Sequence, residues 1–159
     1  MLMFSKKTTD TLVLVNLLNQ ILKLEYALIE TYPSLARSIK DEYTSAILTS
    51  LAIASVKHVD IVTEAFETLE ETPQSHLVNM EETPNLIEFF TQQLDKEKLA
   101  MKLLQQCAGL IREETLQFEF SCMAEEEYTH IKIVKMIIFN LKHSSDKPEL
   151  SLSWVPING

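Results

Sequence analysis

Four stretches of this chain repeat apolar side chains at intervals of three and four residues over long spans, the period of one face of an α-helix. Glycine occurs only 2 times in 159 residues, too few flexible turn positions for a many-stranded sheet. An all-α fold is expected. The first stretch covers residues 8–32, with the stripe Leu14, Leu18, Ile21, Glu25, Leu28 and Tyr32. Pro33 disfavours helical backbone at the residue before it and is expected to end that helix. The second covers 39–70, with Ile47 or Leu48, Leu51, Ser55, His58, Val62, Phe66 and Leu69. The third covers 84–108, with Leu86, Phe90, Leu94, Glu97, Met101, Leu104 and Ala108. Thr83 and Pro84 read as its N-cap and first turn, and Gly109 as its stop. The fourth covers 112–141, with Leu116, Phe120, Met123, Glu127, His130, Val134, Ile137 and Leu141.

The connections between the first and second stretches and between the third and fourth are short, so each pair is expected to form an antiparallel hairpin. Residues 71–83 are the longest connection and can run the length of a bundle. Residues 1–142 are thus expected to be one four-helix domain, followed by a tail over 143–159. The two lysines near the N-terminus precede an apolar run broken by Asn16, Asn19 and Gln20, which does not read as a signal peptide. No run of about 20 uninterrupted apolar residues is present, so no membrane span is expected. A net charge of -9 argues against a nucleic-acid surface and suits attraction of cations. Cys107 and Cys122 make no CxxC or CxxH pattern and read as reduced, partly buried thiols of a cytoplasmic protein.

Each stripe is interrupted near its middle by polar residues: Glu25, then Ser55 and His58, then Glu97, then Glu127 and His130. A carboxylate at a core position is costly unless paired or bound to a cation. The spacing repeats. Glu25 to His58 spans the same 33 positions as Glu97 to His130, and the two pairs are offset by 72 (25 to 97, 58 to 130). The segment from His58 to Val62 also matches that from His130 to Val134 in pattern, which reads as a degenerate repeat of a helical hairpin. Glu127 and His130 lie three residues apart, on one helix face, and can reach one centre. Of the acids Glu125, Glu126 and Glu127, the period places only Glu127 on the stripe. Carboxylate oxygen with imidazole nitrogen suits iron, manganese or zinc. The competing readings are local: acids leaning to solvent, a core histidine bonded within the protein, and a surface Glu127–His130 pair. Tyr26, Tyr43 and Tyr128 read as rim packing, Met101 and Met123 as core filler, and His76 and His143 as solvated.

With these residues the chain resembles the ferritin-like superfamily and, within it, the rubrerythrin-like branch. The resemblance covers residues 8–141 and implies a ferritin-like antiparallel four-helix bundle, two hairpins joined by a long crossover. It implies a metal centre in which Glu25 and Glu97 are the single glutamates of the first and third helices. Glu127 and His130 match the ExxH of the fourth helix, and His58 the histidine of the second. Ser55 departs from the pattern, standing where the family carries a glutamate that bridges two metals. Three carboxylates leave the site one negative charge short of two divalent ions, so the expectation is one or two iron ions (manganese or zinc as alternatives), or a gap filled by water or an anion. Asp60 does not substitute, because two residues past His58 it points elsewhere. The implied activity is a non-haem iron oxidoreductase acting on peroxide, dioxygen or ferrous iron, with a hydroxylase as a further option. The chain has none of the cysteines of the iron domain that full-length rubrerythrins carry, so an external electron donor is implied. Family members commonly dimerise, which implies a homodimer. Loss of the bridging acid supports the alternative of a degenerate bundle with a structural metal or none, serving assembly or partner binding. Trp154 in the tail is expected to dock on the bundle or a neighbouring subunit.

Overall fold

The computed structural model describes residues 8–75 and 85–143. Within them the chain forms four α-helices and no strand: α1 (Thr9–Ser38), α2 (Glu42–Thr68), α3 (Leu86–Leu110) and α4 (Glu114–His143). α3 packs most extensively on α4 and α1 on α2, giving the two expected hairpins; α1 also meets α3, and α2 meets α4 over a smaller seam. His76, Thr83, Pro84 and Trp154 lie outside the described residues, as does the tail beyond His143, which itself sits exposed in the last turn of α4.

Side chains at the helix starts receive the first free backbone N–H groups. Thr8 Oγ1 accepts from Thr11 N at 3.2 Å, and Asp41 Oδ2 from Thr44 N at 2.9 Å. Asn85 Oδ1 accepts from Glu88 N at 2.8 Å, so Asn85, not Thr83, caps α3. Glu113 accepts from Thr115 N and Leu116 N at 3.0 and 2.7 Å, and those bonds hold its carboxyl below the usual range. α2 ends with Glu70 at φ 55. Glu70 N donates to Glu67 O and Glu71 N to Phe66 O, both at 3.0 Å, which is the Schellman arrangement with a non-glycine residue in the left-handed position.

Two expected helix ends are not ends. α1 continues through Pro33 to Ser38. An interior proline costs about 3 kcal/mol, but continuing the helix buries Leu35, Ala36 and Ile39. Burial of a side chain such as leucine or isoleucine stabilises by about 1.5–3 kcal/mol each. Ile39 N then closes on Leu35 O at 3.1 Å, and Ser45 Oγ of α2 donates to Ala36 O at 2.8 Å. α3 likewise passes through Gly109, which has no positive φ, and Ile111 in extended backbone ends it by donating to Cys107 O. Burial of Cys107 and Ile111 carries the helix past the glycine.

The core falls into two apolar clusters. One gathers Leu14, Leu18, Val62, Phe66, Leu104, Phe120 and Met123, and the other Leu28, Tyr32, Leu48, Leu51, Phe90, Val134 and Ile137. Between them, at mid-helix, lie Glu25, Ser55, His58, Glu97 and Glu127, all buried. By length and composition α1 and α2 would pass as membrane-spanning helices. Core helices of a bundle meet the same measure, and each of these places an ionisable group, Glu25 or His58, among partners in the interior.

Candidate metal centre

Each helix contributes to the mid-bundle layer because its apolar stripe carries it inward. The burial that packs Ile21 and Leu28 on α1 carries Glu25, between them, into the interior, and the neighbours of Glu97, Glu127 and His58 do the same. The five residues singled out by their stripe positions meet there. His58 Nδ1 lies 3.0 Å from Glu25 Oε1 and 2.9 Å from Glu127 Oε1. His130 Nδ1 lies 3.3 Å from Glu127 Oε2 and 3.9 Å from Glu97 Oε2. The two imidazoles stack with centroids 6.0 Å apart. Two three-residue groups result, Glu25–His58–Glu127 and Glu97–Glu127–His130, each with ligand atoms within 4.8 Å of one another. Glu127 belongs to both. Its side chain is 1% exposed, so the surface-pair reading of Glu127 and His130 does not hold.

The electrostatics describe a layer holding protons in place of a cation. Burial, with Glu127 second, pushes the Glu97 carboxyl well above its ordinary value. Burial also raises Glu25, against the hydrogen bond to His58. Burial opposes charge on Glu127 too, yet hydrogen bonds with Glu97, His130 and His58 hold its carboxyl below the usual range. Burial alone would lower His58, but Glu127 and Glu25 push it up to about 11. His58 therefore carries a proton at neutral pH, and the buried Glu97 and Glu127 carboxyls are pushed in opposite directions. Even so, Glu25 Oε2, Glu97 Oε2 and Glu127 Oε1 are buried without a hydrogen-bond partner. A single Nδ1–H of His58 stands between Glu25 Oε1 at 3.0 Å and Glu127 Oε1 at 2.9 Å and cannot fully satisfy both. Each such orphaned oxygen costs about 1–3 kcal/mol or more. Three carboxylates and two imidazoles converging with oxygens to spare could hold a metal ion, and oxygen with imidazole nitrogen suits a transition metal.

Ser55 is 3% exposed and its hydroxyl bonds to Glu25. It faces the site, where the pattern would place a fourth acid. Two residues not singled out as site residues bond to the site. Glu126 Oε2 lies 2.8 Å from His58 Nε2, and its other oxygen receives Lys57 Nζ at 3.0 Å. The stripe excludes Glu126 from the bundle axis, and it acts instead across the α2–α4 seam. Tyr32 donates from its hydroxyl to Glu97 Oε1 at 2.9 Å, and burial together with Glu97 pushes its phenol well up. Its place on the same stripe as Glu25 was the available signal. Gln93, one turn before Glu97, is buried with Oε1 unpartnered. Tyr26, Tyr43 and Tyr128 are exposed. Cys107 is buried, Cys122 half-buried, and both are free thiols; burial pushes Cys107 up to about 12.

No protein-family model matches the chain, and no curated protein sequence matches it. Solved structures do. A ferritin-like, diiron-carboxylate protein from Bacillus anthracis str. Ames is 18% identical, with a TM-score of 0.74 over 83% of this chain and 99% of that one. The Desulfovibrio desulfuricans bacterioferritin, described with a diiron site, is 18% identical, with a TM-score of 0.71 over 87% of this chain and 85% of that one. A dodecameric thioferritin from Bacteroides fragilis, a bacterioferritin-related protein, is 14% identical, with a TM-score of 0.72 over 86% of this chain and 90% of that one. At these identities the likeness is one of fold, and the fold is that of the ferritin-like four-helix bundle.

Proposed function

We propose that this chain is a non-haem iron oxidoreductase of the dinuclear-carboxylate type, with Glu25, His58, Glu97, Glu127 and His130 holding one or two iron ions. The observation that carries the reading is Glu127, buried and common to two three-donor groups whose spare carboxylate oxygens have no hydrogen-bond partner. The diiron-carboxylate neighbours of the same fold support it. Bound iron supplies one-electron redox chemistry toward peroxide or dioxygen, or is itself oxidised as the ferrous substrate. The chain's own residues do the rest. The apolar clusters on either side keep water from Glu25, His58, Glu97 and Glu127 along the bundle axis. Glu127 presents an oxygen to each half of the site. To hold an ion, His58 would ligate through Nδ1 and release that proton to solvent, with its Nε2 kept on Glu126. Tyr32 holds Glu97 by one oxygen and leaves Oε2 free to ligate. Within the ferritin-like fold we assign the chain to the rubrerythrin-like branch, supported by the single glutamates Glu25 and Glu97 and the Glu127–His130 pair, and an oxidoreductase of this kind draws its electrons from an external donor. A homo-oligomer, at least a dimer in the cytoplasm, suits the apolar side chains that α1 and α2 leave exposed, such as Val13, Ile53 and Val56. The dodecameric neighbour supports assembly as well.

One observation favours the second reading, a bundle that no longer uses metal. Ser55 bonds to Glu25, and protons satisfy part of the layer. The test is metal analysis of protein produced with iron and purified without oxygen. Roughly one or two irons per chain, with an absorption change on adding peroxide, are expected. Protein that takes up neither iron, manganese nor zinc would overturn the reading. Ser55→Glu separates the two further: it raises metal content if the site is a metal centre, and otherwise buries one more charge and lowers Tm.

A further inference from the structure

The repeat that pairs Glu25 with Glu97 and His58 with His130 also pairs Glu126 with Ala54 and Glu127 with Ser55, all offset by 72. α4 thus carries two acids where α2 carries none. The consequence is visible in the imidazoles. His58 is wholly buried and held at both nitrogens, Nδ1 by Glu25 at 3.0 Å and Nε2 by Glu126 at 2.8 Å. Lys57 anchors Glu126 in turn. His130 is 12% exposed, its Nδ1 contacts are 3.3 and 3.9 Å long, and among the described residues nothing meets its Nε2. By the offset of 72, the position that repeats Glu126 is Ala54, whose side chain is only a methyl and offers His130 no carboxylate.

From this imbalance, and resting on the metal-centre reading above, we infer that the two cation positions are unequal. The position framed by Glu25, His58 and Glu127 loads first and retains its ion; the position framed by Glu97, Glu127 and His130 exchanges with solution. An imidazole whose outer N–H is fixed on a carboxylate is oriented before the ion arrives and is the more basic ligand. His130 has neither help, and water reaches its edge. Glu126 is therefore a positioning residue that acts through His58.

The experiment titrates the metal-free full chain with cobalt(II), followed by visible absorption and calorimetry. Two positions sharing Glu127 would fill in steps through charge repulsion alone, so the decisive reading is which variant moves which step. Glu126→Gln is expected to weaken the first step about 10- to 100-fold and change its absorption bands. His130→Ala is expected to abolish the second step and leave the first with its affinity and spectrum. Ala54→Glu, which builds the missing outer carboxylate, is expected to tighten the second step. Loss of the tight step in His130→Ala, an unmoved first step in Glu126→Gln, or two equal steps in the unaltered chain would overturn the inference while leaving the metal centre standing. No cobalt binding at all would overturn both.

Discussion

The bundle interior contains two kinds of layer. On either side of the middle, Leu18, Phe66 and Phe120, and then Leu48, Leu51 and Phe90, fill the space with hydrocarbon. In the middle, a few ångströms away, three carboxylates and an imidazole are almost as deeply buried, with oxygens that find no donor. The apolar layers stabilise the fold by leaving water. The polar layer opposes folding until a proton or a cation compensates it. Stability and chemistry are thus separated along the helix axis, and each can be perturbed without the other.

The largest expected effect breaks an apolar layer. Phe90→Ala leaves a cavity and is expected to cost about 3–5 kcal/mol in chemical denaturation, by the same amount with and without metal. Replacing Glu25, His58 and Glu127 together by leucine treats the middle layer as its neighbours are treated. Metal-free protein is then expected to be as stable as before or more so, by up to about 4 kcal/mol, with metal binding abolished. Loss of stability there would show that the polar layer holds the fold. Iron removal comes next. Metal at about 100 times its Kd is expected to add about 2.7 kcal/mol, read as a drop in Tm on chelation.

That metal effect has a defined pH dependence. Glu25 and Glu97, raised above the ordinary carboxylate value, cost stability as pH rises and they ionise inside. His58, raised from 6.5 to about 11, contributes stability that is full below 6.5 and is lost as pH climbs toward 11. Metal-free protein is therefore expected to lose Tm between neutral and alkaline pH, and metal-loaded protein less. Because an ion must displace the His58 proton, affinity is expected to rise about tenfold per pH unit for each proton released, measurable by calorimetry in buffers of different ionisation heat. The smallest effect lies outside both layers. Glu70→Gly relieves a left-handed residue and is expected to stabilise by up to about 1 kcal/mol, with no change in metal affinity.

The helical stripes were legible because 3.6-residue periodicity records which face is buried, and every stripe residue from Leu14 to Tyr32 is buried. The layer was legible for the same reason, since a glutamate at a core position stands out against its neighbours. Helix ends were less legible. The local rules for Pro33 and Gly109 are worth a few kcal/mol, and burial of Leu35, Ile39, Cys107 and Ile111 outweighs them. Glu126 was hidden because it lies off its own helix's stripe and is defined only by the His58 of another helix.

From the order of residues alone came the all-α class, the four stripes, the repeat at 72 and the identity of the inward acids and imidazoles. These follow from periodicity, which is local to each helix. Which oxygen meets which nitrogen, that Glu127 stands between both groups, that Tyr32 and Glu126 grip Glu97 and His58, and that His58 is enclosed while His130 is not, were decided only when four helices packed. Those relations depend on azimuth and height between elements, quantities that no single helix encodes and that only mutual burial sets.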